Sequence, residues 1–470
     1  MKNNYYDIQK RNNRRTKRSA KNSRLHSSRN SKNSTSYSSR SEFSNSSRNN
    51  SNVKYSVSNG RKMTPEQRMQ SNYRKRQAKK INKKKLFTAI LILLLIIYLI
   101  CFGFGKIISK IRKPKQTAQA VTSVPKDITI NMSVVGDIMC HSTNFKDAYN
   151  SDTETYDFSY VFEQVEKYLV NADLTVGNLE TTFAGSEVGY SGYPTFNTPE
   201  QLAQDLVELG FDVVSTANNH SLDKRYAGLE STLNELDKVG LAHTGTYRSK
   251  EEQDTIITKN INGINFAFLS FTYGTNGIPV PEGKEYCINL IDNDLILDQI
   301  SKAKATNPDI LCVFMHWGDE YKLKQNKTQE ELADFLFENG VDIILGSHPH
   351  VLEPMEKRTI KLADGTTKDG FLIYSLGNFV SGQVIEDTKN SIILQLQITK
   401  HADNKITIDS YNYIPTYLYD KGEGQKNRYK VLDLNKTITD YDNGNAVVSE
   451  KIYNALVSSK AKFDKVLAGN

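Results

Sequence analysis

The sequence predicts an α/β domain held behind a single membrane-spanning helix, and three observations carry that reading. From residue 128 onward, short apolar runs that stop at a polar residue or a histidine alternate with stretches whose apolar residues recur every three or four positions. Residues 86–104 (LFTAILILLLIIYLICFGF) contain no charge in 19 positions. Residues 1–85 hold 25 Lys+Arg against 3 Asp+Glu, a charge of +22, whereas the rest of the chain holds 36 against 50, or −14.

That asymmetry means the overall charge of +8 describes neither part. It gives no reason to expect nucleic-acid binding by the folded domain. Residues 1–85 repeat Asn, Ser, Arg and Lys with almost no apolar periodicity, so they bury too little surface to offset chain entropy. They are expected to form a disordered basic tail, with Lys83-Lys84-Lys85 placed to meet anionic headgroups of membrane lipid.

At ~1.5 Å per residue, 86–104 spans about 28 Å, close to the roughly 30 Å of bilayer hydrocarbon. A cleaved signal peptide would carry its positive region much nearer the start of the chain. Residues 71–85 hold eight Lys+Arg, against five between 106 and 115, and the whole tail adds to the bias. The expectation is a single-pass protein of the cell membrane, with a cytoplasmic N-terminus and an extracellular C-terminal domain. Residues 105–126 then serve as a linker, 127–435 as the main domain and 436–470 as a C-terminal helical extension. Cys140, Cys287 and Cys312 are widely separated and read as buried hydrophobes, with no disulfide framework and no CxxC pair.

The predicted strands are 128–135, 172–177, 212–216, 264–271, 310–315, 341–345 and 371–375. Helices are expected over 198–209, 221–238, 292–304 and 328–339. Residues 391–398 and 405–414 read as further strands, and 448–467 as an amphipathic helix.

Polar residues gather just beyond the strand ends. Asp137 follows the first strand, Asn178 and Glu180 the second, Asn219 and His220 the third. His316 follows ILCVFM, and His348 and His350 follow VDIIL. Loops beyond the carboxyl ends of strands in an α/β sheet converge on one crevice, so residues scattered along the chain can meet there. Of eight histidines, five (His141, His220, His316, His348 and His350) lie at or just past these ends, which makes chance an unattractive explanation. Carboxylates, an amide oxygen and neutral imidazoles suit Mn, Zn or Fe better than Ca or Mg, and the absence of thiolates argues against a structural zinc knot. Two such ions sharing one carboxylate supply an activated water and stabilise a phosphoryl transition state.

GDIM (136–139), GNLE (177–180), ANNHSLD (217–223), HWGDEY (316–321), GSHPHV (346–351) and SLGNFV (375–380) resemble the capsule-synthesis CapA domain. That family is associated with poly-γ-glutamate capsules and is placed within the calcineurin-like metallophosphoesterases. The resemblance covers roughly 127–435. It implies a β-sandwich flanked by helices and a divalent transition-metal centre, expected to hold two ions. By the resemblance, Asp137 binds one metal, Glu180 or Asn178 stands at the bridging position, and Asn219, His316 and His348 serve the second metal. His350 serves the first, and His220 is the catalytic histidine that helps the leaving group or the phosphate. Position 139 is Met where the superfamily's first motif has His, with His141 two residues further on as a metal or neighbouring candidate. Position 178 is Asn where the second motif has Asp, so Glu180 would supply the bridging charge.

Thr195 and Asn276 lie in loops that could face substrate, and His243 could point into the cleft. Trp317 is read as packing beside a ligand, and Asn378 as fixing a turn. Three functions remain open on the sequence. One is a metal-dependent hydrolase or transferase acting outside the membrane on an anionic polymer or its precursor. Another is a non-enzymatic polymer-handling subunit working with other membrane subunits of capsule synthesis. The third is an outer-face phosphoesterase or nucleotidase.

Overall fold

The computed structural model describes residues 126–361 and 365–469. The basic tail, the apolar run 86–104 and nearly all of the expected linker lie outside the described residues. Among the described residues, no helix is long and apolar enough to cross a membrane.

In chain order the strands are β1 (Ile128–Ile138), β2 (Tyr149–Asn150), β3 (Thr155–Tyr156), β4 (Leu174–Leu179), β5 (Val213–Ser215) and β6 (Ala242–Thr244). Then come β7 (Ile257–Ile261), β8 (Ile264–Thr272), β9 (Ile310–His316), β10 (Ile343–Ser347) and β11 (Met355–Lys361). Last are β12 (Thr367–Ile373), β13 (Asn378–Val380), β14 (Asn390–Lys400), β15 (Ile406–Asp420) and β16 (Tyr429–Asp433). One sheet runs β16-β15-β14-β1-β4-β5-β6, with β13 also paired to β1, and a second runs β11-β12-β10-β9-β8-β7.

Strand β9 shows why two sheets pack face to face. Ile310, Cys312 and Phe314 point into the central core, where they meet Met132, Val134, Val176, Phe268 and Leu394. Leu311, Val313 and Met315 point the other way, onto Ile296, Ile300, Leu332 and Leu336 of the helices Asn293–Ala305 and Lys327–Glu338. A strand buried on both faces reads as a continuous apolar run, with alternate residues in different layers. On the other side, helix Gln201–Glu208 packs Leu202, Ala203 and Leu206 against Val214 and Leu179. The expected β-sandwich flanked by helices is therefore present.

What positions the site is strand direction. β1, β4, β5 and β6 are mutually parallel, as are β8, β9, β10 and β12. The carboxyl ends of both parallel sets present their loops to one region. The β1 ladder is irregular between Val135 and Asp137, where Gly136 lets β1 and β13 approach: a Cβ there would lie 1.9 Å from Gly377 O. Through that approach Asp137 stands opposite both Asn178 and Asn378.

The C-terminal helices Leu434–Asp442 and Glu450–Leu467 insert Leu434, Ile438, Leu456, Phe463 and Leu467 into the central core. Strands β2, β3, β6, β7, β11, β13 and β16 have no counterpart among the expected strands. The helix expected from 221 begins only at Arg225.

Candidate metal centre

Asp137 and Glu180 are fully buried at the ends of β1 and just past β4. The backbone N–H of Glu180 donates to Ile138 O at 2.9 Å, so the residue after β4 is fixed by β1. His316 ends β9, and His348 and His350 follow β10 with positive φ of 97° and 59°. Such backbone is uncommon for non-glycine residues and is a reason to look for function there.

Three groups of side chains place one potential ligand atom each within 4.8 Å of one another: Asp137, Glu180 and His350; Glu180, His316 and His348; and Glu320, His348 and His350. Glu180 belongs to the first two. Neither of its oxygens has a hydrogen-bond partner: His316 Nε2 stands 3.5 Å and His350 Nε2 3.9 Å from Oε1. Asn178 Oδ1 and His348 Nδ1 are likewise buried without a partner. Unpaired buried acceptors in one place are costly in a polypeptide alone, and a cation among them removes that cost. The residues present therefore fit a divalent metal.

Asn219 Oδ1 lies 2.8 Å from His316 Nε2. That contact is a hydrogen bond, and it sets the amide oxygen beside the ligand group Glu180, His316 and His348. The other imidazole nitrogen of His316 is 2.9 Å from Ser347 Oγ.

Electrostatics divide the neighbouring imidazoles. Burial raises the pKa of Glu180, but the charges of His316 and His350 outweigh it and bring the carboxyl down to about 2. Burial lowers that of His350, but Glu180 and Asp137 win and hold it up at about 9. His348 is pushed well below its ordinary value by burial and by repulsion from His316 and His350.

Asn178 Nδ2 donates to Asp137 Oδ1 at 2.8 Å, so its amide steadies Asp137, while Glu180 is the carboxylate common to two of the ligand groups. His141 is brought beside the cluster, not into it: its Nδ1 accepts from Gly382 N–H at 2.9 Å, and its ring meets Phe196 edge-on. Burial first, then His350 and His220, push its pKa down to about 4. Met139 is buried and lines a small cavity with Phe158, Val161 and Phe162.

His220 Nδ1 lies 2.7 Å from Asp223 Oδ2, which also accepts from Phe196 N–H. A carboxylate only accepts, so Nδ1 carries the hydrogen and Nε2 is left for chemistry. Asn276 reaches this side of the site, accepting from Asn219 Nδ2 at 3.1 Å and standing 3.4 Å from His220 Nε2. Thr195 is half-buried next to Phe196, with Lys224 Nζ 3.4 Å from its Oγ1. His243 is not brought to the cluster. Its Nε2 faces Asp237 of helix Arg225–Val239 at 3.1 Å, because in β6 it stands level with Val214, on the helix-covered face of the sheet.

Sequence reasoning missed Asp223 and Glu320 as participants and gave Asn378 only a backbone role. Asn378 Oδ1 lies 3.0 Å from His350 Nδ1. All three stand in the motifs singled out, so their polarity near a ligand was the available signal. Trp317 is fully buried and donates to Tyr374 O, and the Tyr273 ring lies 4.4 Å from that of His348.

The family model described as "Bacterial capsule synthesis protein PGA_cap" matches residues 131–383, which include every residue of the cluster. The chain belongs to this family. It is 31% identical over 294 residues to "Capsule biosynthesis protein CapA" of Bacillus anthracis, covering 60% of this chain and 68% of that one. It is 29% identical over 337 residues to "PGA biosynthesis protein CapA" of Bacillus subtilis (strain 168), covering 71% and 82%. Among solved structures, the calcineurin-like phosphoesterase YfkN of Bacillus subtilis superposes with a TM-score of 0.37 at 13% identity, covering 72% of this chain and 99% of that one. The NAD nucleotidase of Haemophilus influenzae gives 0.38 at 12%, covering 72% and 61%.

Proposed function

We propose that this chain is a membrane-anchored, extracytoplasmic protein of capsule (poly-γ-glutamate) synthesis or export, with a two-metal hydrolase-like centre of the calcineurin-like kind. The observation that carries the proposal is Glu180, a buried carboxylate without a hydrogen bond that belongs to two ligand groups at once. Family membership supports the capsule role. The uncharged run 86–104 behind a basic tail supports the anchor.

Asp137, Glu180 and His350 would hold one ion, and Glu180, Asn219, His316 and His348 the other. When bound, the pair supplies an activated water and neutralises charge developing on a phosphoryl or acyl oxygen. Asn178 and Asn378 orient Asp137 and His350. His220, held at Nδ1 by Asp223, is placed to take up a proton at Nε2 and, as the imidazolium so formed, to pass it to a leaving group. Asn276 fixes Asn219 from the solvent side.

The test is turnover by the full-length protein supplied with Mn²⁺, Zn²⁺ or Fe²⁺, against phosphomonoesters, phosphodiesters and γ-linked glutamyl substrates. Turnover that falls by a factor of about 100 or more in His220→Ala supports the reading. A metal-loaded protein that turns over none of them points to the second reading, a subunit that holds an anionic polymer and works with other capsule membrane subunits. Asn178 favours that alternative, since an amide at this position removes one negative charge from the centre.

A further inference from the structure

Three ligands, Asp137, Glu180 and His350, are few for the first site, and the position two residues after Asp137 offers none because Met139 is packed among apolar side chains. A third carboxylate approaches the histidines from solvent. Glu320 is exposed, yet its oxygen lies within 4.8 Å of ligand atoms on both His348 and His350.

The position of Glu320 is built into the backbone. On one side of it, Trp317 N–H donates to Ser347 O at 3.1 Å, and on the other Tyr321 N–H donates to Pro349 O at 2.8 Å. The segment 317–321 is thus pinned at both ends to the segment that carries His348 and His350. Gly318 and Tyr321 adopt positive φ of 88° and 65°, which turns the chain over the two imidazoles. Gln329 packs directly beneath Gly318, where a Cβ would come 2.8 Å from its Nε2. The neighbouring Asp319 is engaged elsewhere, its Oδ2 accepting from Asn326 Nδ2 at 2.8 Å. Beneath Glu320, His348 Nδ1 is buried and has no partner.

We propose that Glu320 is a metal ligand whose carboxylate closes the centre from the solvent side, opposite Glu180 on the buried side. Glu320 thereby adds a carboxylate beside His348 and His350, whereas position 139 offers no ligand. The inference rests on the two-metal reading above and extends it to a residue in an exposed loop. A ligand so placed can release its ion or yield its position when a substrate oxygen enters, which a buried strand-end ligand cannot.

The test is the number and affinity of Mn²⁺ ions bound by the full-length protein, by elemental analysis after dialysis and by titration followed by electron paramagnetic resonance. Wild type is compared with Glu320→Gln, Glu320→Asp and Asp319→Asn, the last removing the same charge from the same loop. The expected result is loss of one ion, or affinity for it weakened by about tenfold or more, in Glu320→Gln. Glu320→Asp should be intermediate and Asp319→Asn close to wild type. Unchanged stoichiometry and affinity in Glu320→Gln would overturn the proposal and leave the metal centre standing. Equal weakening in Asp319→Asn would also overturn it, since charge alone would then explain the effect. No Mn²⁺ on folded wild type would overturn the two-metal reading together with the proposal.

Discussion

Glu353 is fully buried, and its Oε2 accepts a hydrogen bond from Gln329 Nε2 at 2.7 Å while Oε1 has no partner. Unlike Glu180, it has no imidazole beside it, so burial prevails and pushes its pKa up to about 8. Between the ordinary carboxyl range and that value, the unfolded chain has released a proton that the folded chain still holds. Stability from this group therefore falls as pH rises through the window and levels off above it. Glu353→Gln keeps the shape of the protonated acid and cannot ionise. It is expected to gain roughly 2 kcal/mol or more over wild type at pH 8.5 and little at pH 5, read from urea unfolding. An equal difference at both pH values would show that Glu353 titrates in the ordinary range. The histidines of the cluster were legible in the sequence because His316 directly follows an apolar run and His348 and His350 lie within five residues of the end of another. Asp223 and Glu320 were not, because each reaches the site through a turn, and Asn378 was not, because its strand β13 is only three residues long and shows no period of its own.

Gly346 sits in β10, where a Cβ would lie 1.9 Å from Tyr374 O. The close approach brings the end of β10 against the chain leaving β12 and holds the segment that carries His348 and His350. Gly346→Ala should cost about 2–4 kcal/mol of stability, since backbone must move to admit the methyl group. It should also weaken metal binding, because the strand end is displaced. Thermal unfolding and metal content measured on the same preparation check both effects, and a stable variant with full metal would contradict the packing argument. Strands buried on both faces, such as β9, were readable as apolar runs. β7 (ITKNI) and β11 (MEKRTIK) were not, because they are sheet edges rich in polar residues and take their pairing from the neighbouring strand. The helix expected at 221 starts late because Ser221 Oγ donates to Thr216 O at 2.6 Å, making 218–224 a turn that delivers His220 to the site.

Two parallel strand sets from different sheets end in one region, which is how ligands from residue 137 to residue 350 meet. The sequence showed the alternation of strands and helices, and the resemblance to a known family supplied the sandwich. Alternation alone does not say that β1 and β9 belong to separate sheets. The C-terminal helices complete the same core, far along the chain from any ligand. Leu456→Ala should therefore destabilise the protein by about 2–4 kcal/mol, as measured by urea unfolding, while leaving metal content unchanged. A loss of metal in that variant would mean that the helices support the centre as well as the core. The central claim is that Glu180 joins two metal sites. It is tested most directly by elemental analysis of the full-length protein, produced with Mn²⁺, Zn²⁺ and Fe²⁺ supplied, beside Glu180→Gln. About two transition-metal ions per chain are expected, with both lost in the variant. A folded wild type without metal, or a Glu180→Gln protein that keeps both ions, would contradict it.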